Sequence, residues 1–88
     1  MKIDVYDSYA KSGGRLMHFD VFVPAGTAKS TALQYGRQWL KSIREDSEAL
    51  QQSLCNYCHS EIANPDVERM VNTDGYFILQ MEGCPAPY

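Results

Sequence analysis

Side chains able to do chemistry are few in this chain, and they cluster in the string "CNYCH" at residues 55–59. Cys55 and Cys58 are separated by two residues, so both thiolates can reach one metal from a tight turn, which is half of a tetrahedral zinc site. The same spacing is the dithiol of thioredoxin-like proteins, and with the following histidine it is the string that tethers haem in c-type cytochromes. A third cysteine, Cys84, lies beyond Gly83, where the chain is free to bend back. The two histidines are His18 and His59.

These readings make different demands on the rest of the chain. Covalent haem attachment needs export and maturation, yet "MKIDVYDSYAKSGGR" alternates polar and apolar residues and lacks the continuous apolar core of a signal peptide. No haem is expected, and a cytoplasmic location is. A redox dithiol works best where a strand turns into a helix whose amino terminus favours the thiolate. Here Pro65 restarts a helix only seven residues after Cys58, which leaves little room for one opening at Cys55. Zinc asks for two more ligands: Cys84, and either His59 or His18, the latter with Asp20 on its strand face to orient the imidazole. The metal set read from the sequence is therefore Cys55, Cys58, His59 and Cys84. The plainest alternative is three unliganded cysteines packed as small hydrophobes.

No catalytic constellation stands out. "SGG" joins two strands and precedes no helix, so it is no phosphate loop. Asp7, Asp20, Glu61 and Glu82 could pair as carboxylates only if folding brought them together.

The elements that must position these groups are legible from periodicity. Lys2 to Tyr9 alternates, with Ile3, Val5 and Tyr9 on one face and Asp7 interrupting it. After two adjacent glycines, "LMHFDVFVP" alternates again, setting Met17, Phe19, Val21 and Val23 against His18, Asp20 and Phe22. This predicts a β-hairpin ended by Pro24. From Thr27 the period lengthens: Ala32, Leu33, Gly36, Trp39, Leu40 and Ile43 line one side of an amphipathic helix, capped by Thr27 or Ser30 and ending near Arg44. Arg37, Lys41 and Arg44 form its solvated stripe. "ALQQSL" reads either as a short edge strand, which is preferred, or as a helical turn, and the cysteine segment reads as a loop. "NPDVERMVNTDG" predicts a short helix, with Asn64 at the cap, Pro65 at its first position and Gly75 past its end. "YFILQME" is the last strand.

The expected fold is α+β: a two-layer sandwich with a small mixed sheet and two helices on one face, in the order β-β-α-(β)-α-β. Eighty-eight residues form a single domain over 1–84, with 85–88 as a flexible tail. The 44% hydrophobic content supports a core, and the net charge of −3 argues against a nucleic-acid partner. No stretch is long enough to span a membrane.

The blocks "VYDSYAKSGGRLMHFDVFVPAGT", "QWLKSI", "CNYCHSE" and "GYFILQMEGC" together resemble small bacterial proteins of domain of unknown function family twenty twenty-four. The resemblance runs from Val5 to Cys84. It implies a compact α+β domain and marks "MHFD", "CNYCH" and "MEGC" as parts of one signature, with no assigned activity. The resulting expectation is a non-enzymatic binding or regulatory domain with a zinc site at the CNYCH segment, acting on a protein partner or on a second copy. The alternatives are a thiol redox enzyme or sensor using Cys55 and Cys58, or a metal-free interaction domain.

Overall fold

The computed structural model describes residues 1–85 and shows an α+β domain. Strands β1 (Lys2–Ser12) and β2 (Arg15–Pro24) form the hairpin. Helix α1 (Lys29–Ser42) follows, then strand β3 (Cys55–Ile62), helix α2 (Pro65–Asp74) and strand β4 (Phe77–Gln80). The expected class and element order hold. Of the tail expected at 85–88, all but Pro85 lies outside the described residues.

The sheet runs β3-β1-β2-β4, with each neighbouring pair antiparallel where a mixed sheet was expected. The hairpin turn at Gly13 and Gly14 uses positive φ at both residues, 61° and 75°, which suits the twist of the flanking strands. Because that loop has two residues, every pair in the hairpin is set by it: Ser12 faces Arg15, and Asp7 faces Asp20.

The main body is a two-layer sandwich of the sheet and α1. Tyr6, Ala10, Met17, Phe19, Val21 and Val23 meet Ala32, Leu33, Trp39 and Leu40 there, with Phe19 and Trp39 rings 4.7 Å apart. Gly36 is the close approach in this layer: a Cβ there would stand 2.5 Å from Leu50 Cδ2, and Leu50 is fully buried. Thr27 and Ser30 do not cap α1. Its cap position is Ala28, with no side-chain bond, while the Thr27 hydroxyl donates to the Pro24 carbonyl at 2.6 Å.

A second, smaller cluster gathers Ile3, Val5 and Phe22 with Val67 and Val71 of α2 and with Ala63. Strand alternation sets these residues on the other side of the sheet from Val21 and Val23, so α2 covers one end of the face opposite α1. Both helices were expected on one face. The difference follows from β1, where Val5 and Tyr6 are adjacent and both buried, which only a sheet covered on both sides allows. Asn64 accepts from the Val67 amide at 2.9 Å and Gly75 closes the helix at φ 89°, as the sequence predicts.

The segment "ALQQSL" starts at the last residue of one short 3-10 turn, Ser47–Ala49, and contains a second, Gln52–Leu54; the extra strand begins at Cys55 instead. The Arg37 side chain donates to the Leu50 carbonyl at 2.9 Å, so one member of the basic stripe ties this loop to α1. Asp4 fastens β3 to the hairpin. It accepts from the Ser60 hydroxyl at 2.6 Å and from the Gly26 amide at 2.9 Å, bonds that hold its carboxyl below the ordinary value. No helix among the described residues is long and apolar enough to cross a membrane.

Candidate functional site

The CNYCH string lies along edge strand β3, where a loop was expected. Cys55 faces Ser8 across the β1–β3 ladder and is buried in the α1 layer, and that burial pushes its thiol up. Between the pairs Val5–His59 and Tyr6–Tyr57 the register slips, so Cys58 is an extra residue on a bulge, and it is exposed. Its sulfur lies 3.3 Å from His59 Nδ1, and His59 Nε2 lies 2.8 Å from Glu61 Oε1. Cys84 follows β4, the strand at the opposite edge of the sheet; its thiol donates to the His18 carbonyl at 3.3 Å and is likewise raised by burial.

The Cys84 thiol sits on the His18 carbonyl of β2, and β2 is two strand spacings from β3, so Cys55 and Cys84 stand on the order of 10 Å apart. The structure therefore does not bring Cys55, Cys58, His59 and Cys84 together around one point. His18 cannot complete a set with Cys55 either, because its side chain is on the opposite face of the sheet. The physical reason is that a strand sends alternate side chains to opposite sides, whereas a turn could have gathered them.

A different group does converge. Among the described residues, one set of three potential ligands has its ligand atoms all within 4.8 Å of one another: Asp7, His18 and Asp20. Asp7 and Asp20 are directly opposed across the hairpin, and His18 lies two residues before Asp20 on the same face. They occupy the part of this face that α2 leaves uncovered. His18 Nε2 is 2.5 Å from Asp7 Oδ1, an imidazole N–H donating to a carboxylate. The Tyr9 ring stacks on the imidazole with centroids 4.3 Å apart and planes 8° from parallel, which fixes its orientation. The backbone at His18 is held on its outer side, its amide donating to Glu82 and its carbonyl accepting from Met81. "MHFD" and "MEGC" are thus neighbours in space.

Two like charges placed directly opposite in a ladder destabilise it. The strain appears at Asp20, whose carboxyl is pushed up to about 6, first by burial and then by the neighbouring Asp7 carboxylate, against the opposing pull of His18 and His59. A proton or a cation at this point relieves that repulsion. The sequence placed Asp20 beside His18 on one strand face, but left Asp7 and Asp20 as carboxylates that only folding could join. The signal that could have joined them was the two-residue turn at Gly13–Gly14, which pairs position 7 with position 20.

Comparison with known proteins sharpens the identity without assigning a role. No curated protein matches. An NMR structure of a protein from Nitrosomonas europaea, solved as a target of the Northeast Structural Genomics Consortium, is similar over 97% of this chain and 100% of that one, at 42% identity and a TM-score of 0.85. The family model described as "Domain of unknown function (DUF2024)" matches residues 1–81, and the chain belongs to that family.

Proposed function

We propose that this protein is a small binding domain that takes up a divalent transition metal of the zinc type at Asp7, His18 and Asp20. The observation that carries the reading is the convergence of one imidazole nitrogen and two carboxylate oxygens within 4.8 Å. Three ligands about 2.1 Å from a tetrahedral metal lie about 3.4 Å from one another, so small side-chain movements close the set. An imidazole with carboxylates suits zinc and its first-row neighbours, and the metal would neutralise the opposed aspartates. Three protein ligands leave a coordination position open toward solvent, where water or a group from a partner can bind. Uptake needs the Asp20 carboxylate, whose carboxyl is pushed up to about 6 by burial and by Asp7, so binding weakens as pH falls through that value.

The test is calorimetric titration with zinc of protein first stripped by chelator. One ion per chain is expected. His18→Ala should abolish binding, whereas Cys58→Ser and His59→Ala should leave it intact. Retention in His18→Ala with loss in Cys58→Ser would return the metal to the cysteine segment and sink this assignment.

One observation favours a thiol reading beside it: exposed Cys58 in contact with His59, which in turn contacts Glu61. On that reading Cys58 is the reactive thiol, while Cys55 and Cys84, buried with raised thiols, stay inert. A thiol-specific chromogenic disulfide should then modify one cysteine of the three quickly in the folded chain. His59→Ala should slow that reaction; an unchanged rate removes the thiol reading.

A further inference from the structure

Away from the Asp7 site, a groove of about 190 Å³ opens between the two helices along edge strand β4. Its walls are Trp39 from α1, Met70 and Asp74 from α2, and Tyr76, Phe77 and Ile78 from the strand and the turn before it. Three of these six are aromatic, and Tyr76 is held in place by stacking on Tyr35 at 4.6 Å. The volume is below the roughly 300–1,000 Å³ of sites for drug-sized ligands, so an occupant must be small.

The electrostatics of the groove are one-sided. Asp74 is the last residue of α2, where the helix presents its unpaired carbonyls and favours cations, yet the last turn holds no basic residue. Asp74 makes no ion pair or side-chain hydrogen bond among the described residues. It lies close enough to Tyr76 to help burial push that hydroxyl up. Aromatic rings carry negative potential on their faces, and sites lined by aromatic side chains can hold ammonium groups through cation–π attraction. Carboxylate, helix end and aromatic walls all ask for a positive charge on a compact apolar body.

The geometry points to this groove as a binding site for a small organic cation of the alkylammonium class, its charge against Asp74 and its alkyl groups against Trp39, Tyr76 and Phe77. This site is independent of the metal proposal and shares no residue with it.

Trp39 is the only tryptophan in the chain, so its fluorescence reads the groove directly. Choline is a suitable probe, compared with dimethylbutanol, the neutral isostere in which carbon replaces the charged nitrogen. Titration of choline should give a saturable change in Trp39 emission, with amide shifts at residues 74–78 in NMR spectra. Asp74→Asn, an exposed change at a helix end, should weaken choline roughly tenfold, and the isostere should bind at least as poorly. The proposal is overturned by no saturable change in either readout, by equal binding of the isostere, or by unchanged affinity in Asp74→Asn.

Discussion

Asp20 carries the most informative single charge in the molecule. Its carboxyl titrates at about 6 in the fold against an ordinary 3.8, because burial and Asp7 both disfavour the anion. A raised folded value means that, in the metal-free chain, the stabilising contribution is full below about pH 4 and is lost as pH rises through 6. At pH 7 the fold therefore holds an opposed pair of anions. Asp20→Asn should stabilise the metal-free protein at pH 7 by about 1 kcal/mol, a figure reduced from the full linkage value because the carboxylate is partly solvated. At pH 4 the gain should vanish. Urea titrations at both values check this, and an equal gain at both would show that the effect is unrelated to ionisation. The same substitution should remove a zinc ligand, so the variant gains stability without metal and loses response to it.

At the scale of elements, the sheet is what makes the site and what dismantles the expected one. The hairpin pins Asp7 against Asp20 and stacks Tyr9 on His18, while β3 spreads the CNYCH side chains over both faces and a bulge. Helix α1 contributes by its closeness to the loop behind it, through Gly36. Alanine there would gain up to ~1 kcal/mol of helix propensity. The added methyl, however, would meet the fully buried Leu50 side chain. Overpacking of this sort costs about 1–3 kcal/mol, so Gly36→Ala should be a net loss. In a Leu50→Ala background that penalty should disappear, since the two positions share one space. Thermal melts of the four proteins of the cycle measure it. A stabilising Gly36→Ala in the parent chain would mean that Leu50 does not press on the helix.

For the whole molecule, a metal bound to the native hairpin and absent from the unfolded chain acts on global stability. At free zinc one hundred times the dissociation constant, the gain is about 2.7 kcal/mol, or about 10 °C or more in Tm for a domain of this size. Excess chelator should return the melt to that of the stripped protein, and His18→Ala should show no zinc-dependent shift. A shift of the same size in His18→Ala would mean that the stabilising ion sits elsewhere.

Much of this architecture was legible from the residues alone, for identifiable reasons. Period-two alternation bounded by Gly13–Gly14 and Pro24 is a local property, so the hairpin needed no tertiary information. Asn64, Pro65 and Gly75 satisfy the ends of α2 through near neighbours, and its limits could be read directly. The order of elements and of the quoted blocks likewise determined the α+β class and the family. The cysteine segment misled because spacing in sequence says how far apart thiols are along the chain, and nothing about which way they point. A loop and a strand can both carry C-x-x-C; pairing with β1 decided for the strand, and alternation then divided the ligands between two faces. The covering of both sides of the sheet, the outward turn of Asp7, His18 and Asp20, and the meeting of Trp39 with Asp74 depend on contacts between residues far apart in the chain. Those contacts exist only once the sheet, α1 and α2 have packed together, so only the tertiary structure could decide where this protein's chemistry lies.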